Sequence, residues 1–304
     1  MVIYQEILKG VYVIMAKKFT NHIIFILLAI GLIVLGIGCS VAAPEQKDPS
    51  SQAQSISVKG SDSVLPLAQA EAEEFLNENS GKSVSVTGGG SGVGIAALID
   101  GQVNIATASR EMTTDEIKKA NTNGINPVEH VIAYDGITVI VNPKNPVSKL
   151  TFDQLRGIYD GSISNWKQVG GEDKPIAVIS RDSSSGTYAD FKTDVGFNEY
   201  RPDALTQATT GGIVSEVTQN PNAIGYIGFA YVNKDIKVLS LDNGKGSVLP
   251  TQKTILSGEY PLSRTLQIYT NGEPSGLTKE FNDFILSQKG QNIVSKVGYI
   301  PLKK

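Results

Sequence analysis

From Ser55 onward the chain alternates short β-branched runs with stretches whose apolar residues recur every three or four positions, and this alternation restricts the fold most. SISVK (55–59), SVSVT (83–87), VNIA (103–106), ITVIV (137–141), IAVIS (176–180) and LQIYT starting at Leu266 read as strands. Leu65, Ala68, Ala72, Phe75 and Leu76 share one helical face, as do Ile95, Leu98 and Ile99, then Tyr188, Phe191 and Val195, then Phe281, Phe284 and Ile285. Thr113 with Glu116 and Thr151 with Gln154 have the spacing of capping boxes. Strands separated by helices bury their apolar faces when the strands lie side by side beneath the helices. The expected class is therefore α/β with mainly parallel sheets.

The N-terminus follows a different rule. Ile23 to Gly38 is a run of sixteen uncharged residues, preceded by Lys17 and Lys18 and followed by Cys39. That is the layout of an export signal, and sixteen residues fall short of the roughly twenty that cross a bilayer. Cys39, the only cysteine, then marks a lipidation point, with Gly36 standing where such sites usually carry Leu and Leu35 one place further back. An uncleaved signal anchor and a core cysteine are the other readings, and Met15 begins a better-shaped signal than Met1. Residues 1–38 are read as signal and 39–54, rich in Ser, Ala, Gln and Pro, as a tether to a folded body of about 250 residues, enough for two lobes.

Composition narrows the function. The chain carries 27 basic and 30 acidic residues, and the part after residue 38 carries 24 and 29, so nucleic acid is not an expected partner. One cysteine and two histidines, His22 and His130, supply neither a disulfide nor a Cys/His metal site; no metal and no cofactor are expected.

The chemistry concentrates in three clusters, each between a strand and a helix: Gly60-Ser61-Asp62-Ser63, Gly88-Gly89-Gly90-Ser91-Gly92, and Arg181-Asp182-Ser183-Ser184-Ser185-Gly186-Thr187. Helix N-termini present unpaired N–H groups and partial positive charge, glycine admits a ligand close to the backbone, and hydroxyls rotate to donate. Each cluster alone also reads as a helix cap. Three of one composition, one with an arginine, favour convergence on a small oxyanion.

In the order GSDSVLPLA, GGGSGVGI and SRDSSSGTYADF, with SNW at 164–166 and NAIGYIG at 222–228, the sequence resembles the phosphate-binding subunits of phosphate ABC importers, from Ser55 to Leu302. The resemblance implies a two-lobed periplasmic-binding-protein fold, type II, hinged by crossover strands near Val131–Val141 and Ala223–Tyr231. It places the first lobe at 55–134 plus 235–304 and the second at 135–234. It implies that Ser63, the Val64 N–H, Ser91 and Ser109 line one side of a phosphate site, and Arg181, Ser185, Gly186 and Thr187 the other. Ser109 stands where some members carry an aspartate that accepts the proton of hydrogen phosphate; Asp62 or Asp135 could supply that acceptor, and each also reads as a cap or turn residue. Arg110 either contacts the anion or pairs with a carboxylate.

The implied protein is a monomeric, lipid-anchored binding protein on the outer face of the cytoplasmic membrane, handing phosphate to ABC permease subunits with a separate ATPase. Other tetrahedral oxyanions (sulfate, molybdate, tungstate), a surface phosphohydrolase and a permease-free phosphate sensor are the competing readings. Enzymatic motifs are incomplete: Gly89-Gly90-Ser91-Gly92-Val93 misses the last glycine of a nucleophile elbow, Leu76 replaces the first P-loop glycine, and Val93 breaks G-x-G-x-x-G. His130, in an apolar run, reads as structural, and Trp166 as packing.

Overall fold

The computed structural model describes residues 54–302; the segments expected to be an export signal and a tether, with Cys39 between them, lie outside the described residues. In chain order the elements are β1 (Ser55–Gly60), α1 (Leu65–Glu78), β2 (Ser83–Thr87), α2 (Ser91–Ile99), β3 (Ile105–Ala108), α3 (Thr114–Thr122) and β4 (Pro127–Val141). Then follow β5 (Lys149–Thr151), α4 (Phe152–Asp160), a 3-10 turn at Trp166–Val169, β6 (Ala177–Arg181), α5 (Gly186–Val195), β7 (Leu205–Gln207), α6 (Thr210–Gln219) and β8 (Ala223–Gly228). The last part holds β9 (Lys237–Val238), β10 (Ser240–Asp242), β11 (Ser247–Val248), α7 (Gln252–Leu256), β12 (Ser263–Asn271), α8 (Gly276–Leu286) and α9 (Gln288–Val297).

The local reasons are those the sequence suggests. Thr113 and Thr151 close capping boxes with Glu116 and Gln154, satisfying N–H groups that the first turns of α3 and α4 leave over. The main sheet runs β2-β1-β3-β12-β4-β8-β6-β7, with β9 beside β4. β1 lies parallel to β2 and β3, and β6 parallel to β7 and β8, while β12 and β4 are antiparallel insertions.

β4 joins the two halves. Pro127 to Gly136 pairs with β12, and from Ile137 to Val141 the same strand pairs with β8 instead. Only its second half is strongly β-branched, so the expected strand at 137–141 covers the distal third of a fifteen-residue element. One core packs Val58, Leu67, Phe75, Ile105, Leu266, Phe281 and Val294. Another packs Val139, Leu155, Tyr159, Trp166, Phe191 and Tyr226, and also Leu239, Leu241 and Tyr260.

That last group shows which core the chain after β8 packs into. Residues from 235 are expected in the first lobe; Lys237 and Val238 pair with Val141 and Ile140, and Ser240–Asp242 pairs with β5. The apolar side chains of Leu239 and Leu241 are buried in the second core, and β12 packs Leu266 into the first. Trp166 is buried there too, its indole N–H donating to the Asn222 carbonyl at 2.9 Å.

Candidate functional site

Three βα junctions meet where the halves of the sheet face each other. The β1–α1 turn brings Asp62 and Ser63, the β2–α2 turn brings Gly88 to Ser91, the end of β3 brings Ser109, and the β6–α5 turn brings Arg181 to Thr187. Ser63, Ser91, Ser109, Arg181, Ser185 and Thr187 are all buried, although all are polar. Such burial is favourable only where each group finds a partner.

Many of the partners come from the opposite wall. Ser63 Oγ and Thr187 Oγ1 lie 2.9 Å apart. The Gly92 N–H donates to the Ser184 carbonyl at 2.9 Å, and the Ser184 hydroxyl donates to the Gly89 carbonyl at 3.0 Å. On one wall, Ser91 Oγ accepts from the Ser109 N–H at 3.1 Å and stands 3.3 Å from Ser109 Oγ. Glycine permits this approach. A Cβ on Gly90, which has φ 96°, would fall 2.6 Å from the Ser184 carbonyl oxygen, and one on Gly186 would fall 2.8 Å from Ser109 Oγ. Gly186 and Thr187 open α5, so their N–H groups have no intrahelical acceptor.

Arg181 is the charge centre, and its guanidinium is largely committed. Nε donates to the Gln207 carbonyl at 3.1 Å and Nη1 to Thr210 Oγ1 at 3.1 Å; Nη2 donates to the Ala208 carbonyl at 2.9 Å and to Asp62 Oδ2 at 2.8 Å. Four of the five N–H bonds of an arginine are thereby used, which leaves one, on Nη1. Asp62 in turn accepts the Gly89 N–H on Oδ1 at 3.0 Å, so it ties two loops and an arginine and is not a helix cap. Tyr231 donates its hydroxyl to the Asp62 carbonyl at 2.6 Å, and burial pushes that phenol up to about 12, so it stays a donor.

Other expected residues lie elsewhere or point elsewhere. The Val64 N–H donates to the Ser61 carbonyl at 3.1 Å and serves the turn. Arg110 grips Glu116 with both Nη atoms, at 2.8 and 2.7 Å, which is the carboxylate-pairing alternative. Asp135 is occupied on both oxygens: Oδ1 accepts the Phe229 N–H at 2.9 Å, and Oδ2 accepts Arg264 Nε and Nη2 at 3.1 and 2.9 Å. His130 bonds Thr270 Oγ1 through Nε2, at 3.1 Å.

The sequence reading missed Ser184, Thr210 and Tyr231. Thr210 was within reach of the same rule: Thr209-Thr210-Gly211-Gly212 follows β7 and opens α6, a fourth junction of like composition. Ser184 was inside a cluster already singled out. Tyr231 carries no local signal.

A two-lobed α/β fold with crossover strands and a buried polar cleft defines a class of solute-binding proteins, and the PBP superfamily domain matches residues 45–289. The phosphate-binding protein PstS of Bacillus subtilis is 32% identical over 291 residues, 93% of this chain and 94% of that one. PstS of Borreliella burgdorferi is 34% identical, over 82% of this chain and 90% of its own. Among solved structures, a candidate phosphate ABC transporter substrate-binding protein from Clostridium perfringens with bound phosphate is 38% identical, with a TM-score of 0.76, covering 82% of this chain and 100% of that one. An ABC-type phosphate transport receptor from Vibrio cholerae is 35% identical with a TM-score of 0.68, covering 81% of this chain and 100% of its own. The chain belongs to the PstS family of phosphate-binding proteins.

Proposed function

We propose that the chain captures inorganic phosphate between its lobes and delivers it to an ABC importer. The observation that carries this reading is the meeting of three βα turns across one buried cleft, supplying hydroxyls, first-turn N–H groups and an arginine. In this reading Ser63, Ser91, Ser109, Ser185 and Thr187 donate hydroxyl hydrogen bonds, and the Gly186 and Thr187 N–H groups and the remaining Arg181 N–H complete the cage. Because Asp62 balances the charge of Arg181, the anion is held mainly by dipoles and hydrogen bonds, each contributing roughly 1.5–3 kcal/mol toward a charged group. Asp62 takes over the acidic role that Ser109 cannot perform, since each of its oxygens has a lone pair left to accept the proton of hydrogen phosphate.

No covalent step belongs to this function. Binding shifts an open–closed equilibrium about the strands at Gly136–Ile137 and Gly228, with residues 55–136 and 263–302 as one lobe and 137–262 as the other. The closed form docks on permease subunits whose ATPase is a separate protein. Cys39, lipidated after signal cleavage, would hold a monomer on the outer face of the membrane, and metabolic labelling with a fatty acid, lost in Cys39→Ala, tests that anchor.

Calorimetric titration of the ligand-stripped chain with phosphate, sulfate and molybdate tests the main claim. The expected outcome is tight phosphate binding that disappears in Arg181→Ala. Preference for sulfate or molybdate would mean that Asp62 does not discriminate as argued, and heat from none of the three would overturn the reading.

A further inference from the structure

A second buried arginine lies at the seam between the lobes, and its surroundings carry an inference that rests on the anion-capture reading. Arg264 of β12 faces Asp135 of β4 as a cross-strand pair. Its Nε and Nη2 both go to Asp135 Oδ2, while Asp135 Oδ1 holds the Phe229 N–H at the end of β8. This knot ties three strands one residue before β4 changes partner. Arg264 Nη1 is buried and has no hydrogen-bond acceptor among the described residues, and Asp190 Oδ2 stands 3.7 Å from it.

Asp190 belongs to α5, one turn after the Gly186–Thr187 start that lines the cage, and Asp194 follows a turn later. With the Ser109–Thr113 loop and Ser263–Gln267 of β12, both line a polar cavity of about 500 Å³. The charges facing Asp190 are Asp194 on its own helix, Arg264 on β12 with Asp135 behind it on β4, and Arg110 and Glu111 on the loop after β3. Arg110 is already neutralised by Glu116. Three carboxylates thus share one guanidinium whose best donors are taken. Ser109 lines this cavity and also meets Ser91 in the cage, so an anion in the cage adds further negative charge close to Asp190.

We propose that Asp190 takes up a proton when the cleft closes on its anion, so that phosphate affinity rises as the medium becomes acidic and is held down by the Asp190 carboxylate at alkaline pH. The ionisation supports the geometry. Burial pushes Asp190 up to about 6 despite the opposing pull of Arg264, and burial also raises Asp194. A carboxyl raised in the closed form favours that form below its value in the open, solvated one. The advantage is complete below about 4, the ordinary aspartate value, and is lost as pH rises through about 6.

The test is calorimetry of inorganic phosphate binding from pH 4 to 8, in two buffers of different protonation enthalpy at each pH, for the wild-type chain and Asp190→Asn. The ionisation of phosphate itself is common to both chains and cancels in their comparison. Asp190→Asn is expected to bind about a hundredfold tighter than wild type at pH 8, since the span from about 4 to about 6 is two pKa units at tenfold each, and this advantage should shrink on acidification and vanish only near pH 4. Wild type should take up more protons than the variant near pH 6. Equal or weaker binding by Asp190→Asn at pH 8, or equal proton uptake, overturns the proposal. If Asp190→Asn fails to fold, carboxyl-carbon NMR of the wild-type chain with phosphate decides, since an Asp190 titrating at the ordinary aspartate value overturns it. A wild type that binds no phosphate at any pH sinks the functional reading and the coupling together, whereas binding without dependence on Asp190 sinks the coupling alone.

Discussion

Arg181 and Arg264 are both buried where the lobes meet, yet their surroundings differ in one respect, the ratio of acceptors to charge. Arg181 places four N–H bonds on four acceptors, and its single carboxylate partner, Asp62, is satisfied in turn by the Gly89 N–H. Arg264 puts two donors on one oxygen of Asp135 and leaves Nη1 without an acceptor among the described residues, 3.7 Å from a second carboxylate. Burial alone does not decide whether an arginine is a fixed support or part of a titrating group. The count of negative groups around it does, because a surplus carboxylate in a low dielectric is protonated before it is tolerated as a charge.

Removing each arginine would sharpen that contrast, and this is the largest effect we expect. Arg264→Ala leaves Asp135, 1% exposed, buried without a counter-charge, so it should cost about 3–5 kcal/mol of stability, the range for breaking a buried pair. Arg181→Ala strips the cage of its cation and should abolish phosphate binding, while its loss of stability should be smaller because Asp62 regains water when the cleft opens. Denaturant unfolding and phosphate titration of both variants check this. The comparison breaks if Arg181→Ala unfolds as easily as Arg264→Ala while retaining phosphate.

A smaller effect should follow from Gly186→Ala. The added methyl would lie 2.8 Å from Ser109 Oγ and against Ser91, across the cleft, so it obstructs closure and not the folding of either lobe. Overpacking of this kind costs roughly 1–3 kcal/mol, which predicts a phosphate affinity weaker by about fivefold to 150-fold with little change in the melting temperature. An unchanged affinity would mean that the two walls do not meet at Gly186 in the bound form.

Much of this cleft was legible because composition marks junctions. Glycine and hydroxyl residues between a β-branched run and a helical face marked the three turns without any knowledge of the sheet, and the family resemblance picked out Ser63, Ser91 and Ser185–Thr187 within them. The same rule applied to Thr209–Gly212 would have given Thr210. The Asp62–Arg181 pair was not legible, since 119 residues separate its members and only the sheet order brings them together. Periodicity alone marked only the distal third of β4, although the resemblance placed a crossover strand near Val131–Val141, because Glu129, His130, Asp135 and Gly136 interrupt the pattern; those polar positions serve Tyr269, Thr270 and Arg264 on the neighbouring strand. Strands of two or three residues, such as β9 and β11, are too short to show a period, so the sequence carried no local sign of them.

A third buried ionisable group, far weaker in effect, extends the comparison to one with no hydrogen-bond partner among the described residues. Glu71 lies on the core face of α1 beside Leu67, Ala68, Ala72 and Phe75, and neither of its carboxyl oxygens has a hydrogen-bond partner among the described residues. Burial raises its ionisation well above the ordinary glutamate value. The folded chain therefore holds a proton that the unfolded chain releases above about 4.3. The resulting stabilisation is complete below that value and is lost as pH rises toward the folded-state value. Glu71→Gln keeps the shape and removes the ionisation, so it should be more stable than wild type at pH 8, by about 1–2 kcal/mol on the scale of an unsatisfied buried group, and indistinguishable from it near pH 4. Urea unfolding at the two pH values checks the sign. A variant that loses stability equally at both would show that Glu71 makes a polar contact in the native state, and the partnerless end of the comparison would have to be withdrawn.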